Sequence, residues 1–273
     1  MMINNYKTAK FSKLISKCLF IISFCSSMLS AADSESAINE PIKIVTERSY
    51  PLNYTNKGDP KLRGFATELI EAVMLDAGLN YEITIKPWAR VLNEAFTNKD
   101  TLIYSVGRTE ERENKLLWIG KIITVKNNIY GLRNAHKDSK VSLSDLKSAN
   151  ISVSKNSLNY NYLKGKNFKH LISVHSYEQT YELLKRGRTQ YFTSSVLGAH
   201  QFIIRNNLKP EDIIPVMRLH EHNPVLYLAA NIDTNPKIIS KLKVSFQNII
   251  DNGTYDRIMQ PLLKDQSLLR EKS

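Results

Sequence analysis

Residues 87–118, PWARVLNEAFTNKDTLIYSVGRTEERENKLLW, carry the reading that decides this chain. A Trp-x-Arg entry at Trp88–Arg90 opens an amphipathic helix over 91–96, and the apolar run Leu102–Ser105 reads as a strand. Arg108-Thr109-Glu110-Glu111-Arg112 follows, where the strand feeds a short helix. A hydroxyl and a guanidinium three positions apart, beside the free N–H groups of a helix start, form a layout that receives an anion. Thr-x-x-Arg alone is common on surface helices. Its weight comes from its place, because the C-terminal ends of strands in open α/β sheets face a crevice.

On the N-terminal side, Ile42–Val45 is a short strand before the Tyr50-Pro51 loop and the turn Lys57-Gly58-Asp59-Pro60. Apolar residues at Phe65, Leu69, Ala72, Val73, Met74 and Leu75 give Phe65–Ala77 a helical period, and Gly78 ends it. Tyr81–Ile85 alternates as a strand does. The βαβαβ order predicts a parallel sheet flanked by helices. A second unit of the same kind starts after Leu132-Arg133-Asn134. It has strands at Asn150–Ser154, near Val174 and at Thr189–Thr193, a polar helix opening at Asn156-Ser157, and helices at Tyr177–Arg186 (capped by Ser176, ended by Gly187) and Val196–Asn206. Leu226–Ala230 is again strand, and Pro236–Asn252 is helix up to Gly253. The expected fold class is α/β with two lobes, each a mainly parallel sheet with flanking helices. Residues 33–130 and 227–273 form the first lobe and 131–226 the second. Two chain crossings give a two-segment hinge with a ligand cleft between the lobes.

The first 32 residues have the three regions of a secretory signal. Lys7, Lys10, Lys13 and Lys17 come without an acid, then the apolar run Cys18–Cys25, then small residues at Ser30, Ala31 and Ala32. The rival reading is a retained anchor, but the apolar run is far short of the ~20 residues a spanning helix needs. Cleavage after Ala32 is expected, which places the protein in the periplasm. It would remove both cysteines, Cys18 and Cys25, and with them thiol nucleophiles, thiolate metal sites and disulfides. Losing the four leader lysines lowers the net charge from +12 to +8. The remaining cations are scattered rather than blocked, which fits a solvated surface and not a nucleic-acid face.

With these stretches in view, the chain resembles the bacterial extracellular solute-binding proteins of the amino-acid-binding type, family 3, from Ile42 to about Leu263. The markers are Tyr50-Pro51-Leu52-Asn53-Tyr54, Gly64-Phe65-x-x-Glu68-Leu69, Pro87-Trp88-Ala89-Arg90, Arg108-Thr109-Glu110-Glu111-Arg112, Leu183-Leu184-Lys185-Arg186-Gly187-Arg188 and Asp251-Asn252-Gly253-Thr254-Tyr255-Asp256-Arg257-Ile258. The resemblance implies the periplasmic-binding-protein fold. It gives Arg112 the role of gripping a ligand carboxylate, assisted by Thr109. Tyr50 takes an aromatic place on the ligand side chain, with Tyr54 or Trp88 walling the same pocket, and Ser105, Ser157 and Ser195 complete the expected ligand set. The alternative for Arg112 is a helix-surface residue paired with Glu110 or Glu113, and for the aromatic residues it is lobe packing.

The second lobe departs from the family pattern. Where the family carries acids, one of them commonly a partner for a ligand ammonium, this chain has Gln190 and Ser195. A serine accepts a hydrogen bond from an ammonium but leaves its charge unneutralised, which is costly in a closed site. A carboxylate from elsewhere, Glu47 or Glu221, would have to substitute, or the solute is a carboxylate without the amine, a modified amino acid or a peptide-like molecule.

His220-Glu221-His222 has the alternation of strand-borne metal ligands, but no third and fourth ligand accompany it, and no metal or other cofactor is expected. Ser194-Ser195 with His200 lacks a nucleophile-elbow Gly-x-Ser-x-Gly, and the glycines form no phosphate loop. The expected function is therefore binding rather than catalysis. A monomer in the periplasm closes on a small carboxylate-bearing solute and presents it to an inner-membrane ABC permease. The alternatives are a sensing protein that signals to a partner and, less favoured, a cleft enzyme such as a dehydratase.

Overall fold

The computed structural model describes residues 40–56, 58–135, 141–219 and 223–268, and the chain from Ile42 onward forms one compact unit. The signal segment, Lys57 and His220-Glu221-His222 lie outside the described residues. In chain order the elements are β1 (Ile42–Thr46), β2 (Tyr54–Asn56), β3 (Asp59–Arg63), α1 (Phe65–Asp76), β4 (Tyr81–Ile85), α2 (Trp88–Thr97), β5 (Thr101–Gly107), the single turn α3 (Glu110–Glu113), β6 (Leu116–Thr124) and β7 (Asn127–Leu132). Then follow α4 (Leu143–Ser148), β8 (Ile151–Ser154), α5 (Leu158–Gly165), β9 (Leu171–Val174), α6 (Tyr177–Lys185), β10 (Tyr191–Ser195), α7 (Val196–Arg205), β11 (Ile213–Leu219), β12 (Val225–Asn231), α8 (Pro236–Asp251) and α9 (Thr254–Leu268).

Two five-stranded sheets organise the two lobes. The first has the order β4-β1-β5-β12-β6, the second β11-β7-β10-β8-β9, and β2 and β3 form a separate hairpin. The chain leaves the first sheet after Thr124 and returns to it at Val225, so two connections join the lobes. The sheets are mixed rather than mainly parallel. In the first, β1 runs parallel to β4 and β5, while β12 is antiparallel to β5 and β6. In the second, β8 runs parallel to β9 and β10, while β7 is antiparallel to β10 and β11. The reason is local. Helix crossovers link the parallel strands, whereas β6 runs straight on into β7 of the other sheet with no helix between them, and the partners of β6 and β7 come from much later in the chain, so these antiparallel pairs leave no βαβ signature in the sequence.

β5 is the middle strand of the first sheet and is buried along its whole length. Against it pack Trp88, Val91, Leu92 and Ala95 of α2, with Val45, Ile103, Val106, Leu116 and Ala229. In α1 the buried stripe is Ala66, Thr67, Leu69, Ile70, Val73 and Met74, while Leu75 is 82% exposed. Adjacent apolar residues on a helix point about 100° apart, so Met74 and Leu75 cannot share the core face. The second lobe has two cores, one around Ile129, Ile151, Leu163 and Tyr191, and one around Tyr130, Leu184, Phe192 and Phe202. In the latter, Phe192 stacks between Tyr130 and Phe202 with ring centroids 5.5 and 4.6 Å away.

Candidate functional site

The cleft lies at the C-terminal ends of parallel strands from both sheets. Glu47 directly follows β1, Ser105 lies near the end of β5, Ser154 ends β8, Val174 ends β9, and Ser195 ends β10. All five residues line one cavity of about 190 Å³. At ~30 Å³ per water molecule it would hold about six, the size of an amino-acid-like solute. Its other walls include Asn127, Ser157, Asn159, His175, Ser176, Thr180, Thr193 and Ser194, with Leu52, Val125 and Leu226 as apolar contributions. Arg48 and Ser49 complete the first-lobe side, so the lining combines the charges of Glu47 and Arg48 with many neutral hydroxyls and amides.

Local rules place the second-lobe hydroxyls. Ser157, Ser176 and Ser195 are the N-caps of α5, α6 and α7, accepting from the backbone N–H of Tyr160 (3.2 Å), Gln179 (3.2 Å) and Gly198 (3.0 Å). Each caps a helix that starts just beyond a strand end, which brings all three to the cavity. Among the described residues, no lining residue from this lobe is a carboxylate, lysine or arginine.

The first-lobe wall is different. Ser105 has left-handed backbone (φ 58) and donates from Oγ to Asn53 Oδ1 at 2.7 Å. Asn53 Nδ2 in turn donates to Thr46 Oγ1 at 3.0 Å and to the Glu47 carbonyl, and Thr46 donates to the Tyr104 carbonyl at 3.2 Å. This buried network ties the β1 and β5 ends together and fixes the segment that carries Glu47. The Glu47 carboxyl itself has no hydrogen-bond or ion-pair partner among the described residues. Burial pushes its pKa up to about 7, while the Arg112 charge pulls the other way. At neutral pH it therefore stands between an acid that donates and a carboxylate that awaits a cation.

Arg112 is 3% exposed, and burial holds its pKa below the usual guanidinium value, against the favourable charges of Glu111 and Glu47. It pairs with neither Glu110 nor Glu113; Glu113 is held instead by Arg108, at 2.8 and 2.9 Å. Arg112 Nη1 donates to the Gly107 carbonyl at 2.7 Å, Nη2 to the Asn156 carbonyl at a long 3.4 Å, and Cζ lies 5.3 Å from the Trp88 ring centroid. Thr109 precedes the single turn α3 without capping it, and its buried hydroxyl has no hydrogen-bond partner. Thr101, Thr189 and Thr234 also have buried hydroxyls without a partner among the described residues, so what sets Thr109 apart is its place beside Arg112.

The eight residues expected from sequence thus divide into three sets. Ser105, Ser157 and Ser195 line the cavity. Arg112 and Trp88 meet one another at the Asn156 carbonyl, with the Thr109 hydroxyl free at the foot of α3. Tyr50 and Tyr54 pair with ring centroids 4.7 Å apart and are not among the cavity walls, and Trp88 is packed in the first-lobe core. Sequence reasoning named Glu47 only as a substitute carboxylate and did not anticipate Asn53, Asn127, His175, Ser176 or Thr193 in or behind the site. Glu47 had a readable signal, its place one residue beyond a parallel strand. Asn127 and Thr193 had none, because they reach the cavity through the antiparallel pairing of β7 and β10.

Two α/β lobes linked by two strands of chain, with a polar cleft between them, define a two-lobed solute-binding architecture. The sequence profile of bacterial extracellular solute-binding proteins, family 3, matches residues 42–264, and the chain belongs to this family. No curated protein sequence matches it. Among solved structures it is similar to a histidine kinase sensor domain with similarity to periplasmic binding proteins (TM-score 0.72, 17% identity, covering 82% of this chain and 96% of that one). It is also similar to an ancestral arginine-binding protein bound to arginine (0.71, 18%, 82% and 98%). A third is the arginine-, lysine-, histidine-binding protein ArtJ from Geobacillus stearothermophilus (0.68, 18%, 81% and 94%). At these identities the likeness concerns the fold.

Proposed function

We propose that this protein captures a small amino-acid-like solute in the periplasm by closing its two lobes, without altering it chemically, and hands it to an inner-membrane ABC permease. Arg112 and the Thr109 hydroxyl take the solute carboxylate, and Glu47 supplies the negative charge that Gln190 and Ser195 do not. The observation that carries this reading is Glu47 in the cavity wall opposite the hydroxyls and amides of the second lobe, with Arg112 and the Thr109 hydroxyl buried in the same lobe as Glu47 but outside the cavity walls. A zwitterionic solute needs one site for each charge, and the first lobe offers both. Binding a cation beside Glu47 lowers its pKa and releases a proton, so affinity for such a solute rises with pH up to about 7.

A thermal-shift scan of the refolded, ligand-stripped protein against amino acids, simple carboxylates, amines and short peptides tests this. A solute at 100 times its Kd adds about 2.7 kcal/mol, which raises Tm by roughly 5–10 °C at this size. Stabilisation by a carboxylate-bearing solute that disappears in Arg112→Ala supports the reading. Equal stabilisation of both proteins would remove Arg112 from the site. A second reading, solute sensing without transport, draws on the similarity to the histidine kinase sensor domain. Uptake of the identified solute by cells lacking the protein separates the two, since only a transport role makes uptake depend on it.

A further inference from the structure

Asn156 stands between β8 and α5 in left-handed backbone (φ 58), a conformation asparagine tolerates better than most residues. Its carbonyl oxygen receives two donors from the other lobe. Trp88 Nε1 donates at 3.1 Å, and Arg112 Nη2 approaches at 3.4 Å. The two donors also touch each other, with the guanidinium 5.3 Å from the Trp88 ring centroid, and the same guanidinium holds the Gly107 carbonyl through Nη1. A separate contact closes the lobes beside them. At Gly107, the last residue of β5, an added Cβ would lie 2.2 Å from Leu158 Cδ1 and 2.9 Å from Cγ, so a glycine there lets α5 come directly against the strand end.

We propose that Trp88 is a positioning residue of the cleft. With Arg112 it clasps the Asn156 carbonyl and holds the lobes together before solute binds, and Gly107 is the gap that allows the clasp to shut. The guanidinium assigned to a carboxylate thus has an acceptor of its own in the opposite lobe. Solute entry exchanges the Asn156 oxygen on Nη2 for a carboxylate oxygen, while the neutral Trp88 indole keeps the lobes in register. Trp88 thereby acts on binding through closure, without contacting the solute. The solute step rests on the binding function proposed above; the clasp does not, and it is measured with no ligand present.

The test uses protein expressed from its full sequence, unfolded and refolded to strip carried ligand. The chain has two tryptophans, so Trp118→Phe leaves the Trp88 indole N–H as a single nitrogen-15 signal. Its exchange with solvent is expected to be at least about tenfold slower than that of a free indole. Trp88→Phe keeps a ring over Arg112 and in the core but removes the donor. Loss of one hydrogen bond of ordinary strength is expected to lower the closed-to-open ratio about fivefold, read as a larger radius of gyration in X-ray scattering at unchanged thermal cooperativity. Gly107→Ala, which keeps both donors but wedges Leu158 away, is expected to open the protein in the same way. An unprotected Trp88 indole, or a radius of gyration unchanged in both variants, overturns the clasp. Should Trp88→Phe fail to fold, an unchanged radius in Gly107→Ala alone overturns it. A protein that binds solute through Arg112 but shows no clasp refutes this inference and leaves the proposed function intact. A clasp in a protein that binds none of the scanned solutes does the reverse.

Discussion

The two walls of the cleft differ in how they can recognise a solute. The first-lobe wall has two ionisable groups, Glu47 and Arg48, with Glu47 held by the buried Ser105–Asn53–Thr46 network and under the influence of the Arg112 charge. The second-lobe wall has serine N-caps whose oxygens already accept from backbone N–H groups. On the proposed reading, charge discrimination belongs mainly to the first lobe, while the second, with His175 as its one ionisable wall residue among the described residues, offers helix-anchored hydroxyls and amides. Two walls of this kind avoid burying like charges against each other on closure, which would cost more than a neutral lining does.

The largest effect is expected from Arg112→Ala. The change removes a buried cation with two backbone acceptors, so stability should fall by about 2–3 kcal/mol in urea unfolding, together with loss of carboxylate binding. A variant as stable as the parent would place Arg112 outside both the clasp and the site.

Glu47→Gln comes next, and its effect depends on pH. The folded-state pKa of Glu47 lies above its ordinary value, so the protonated acid is the form the fold favours. The group imposes no cost below about pH 4.5. A destabilisation grows between about pH 4.5 and 7, where the unfolded chain gives up this proton and the fold retains it, and levels off above about 7. The parent should lose up to about 3 kcal/mol over that interval, and Glu47→Gln should flatten the slope while weakening cationic solutes. A slope that persists in the variant would assign it to other groups.

Thr109→Val should leave the empty protein as stable or slightly more so, because it removes a buried hydroxyl without a partner. Carboxylate affinity should fall about tenfold, or ~1.4 kcal/mol by titration calorimetry. Unchanged affinity would leave the orphaned hydroxyl without a ligand role.

Ser195→Asp is expected to have the smallest effect. Aspartate caps helices as well as serine does, so α7 should persist. A carboxylate here would give the neutral wall a charge, and affinity for α-amino acids should rise a few-fold. No gain would mean that the ammonium site is filled from the first lobe alone.

Much of this was legible in the chain. The helix periods, the strand ends and the glycine stops fixed where the elements lie, because a helix or strand is written in its own neighbours. Gly78, Gly187 and Gly253 all have positive φ just past helix ends, as their spacing implied. Leu75 shows the limit of period reading, because an apolar residue adjacent to the buried stripe of α1 is indistinguishable from a member of it. The antiparallel members were harder. β7 and β11 pair antiparallel across four intervening helices, so their pairing depends on residues dozens of positions apart.

By itself the sequence determined the α/β class, the family-like order of motifs, and the chemistry available at strand ends, since these follow from local pattern and residue type. The tertiary structure alone decided what each side chain faces. It set Arg112 and Trp88 on one carbonyl of the opposite lobe, and, among the described residues, left the Thr109 hydroxyl without a partner and brought Glu47 to a cavity whose far wall has no carboxylate, lysine or arginine. The reason is that burial and hydrogen-bond partners are properties of two surfaces brought together by folding, and no stretch of one of them specifies the other.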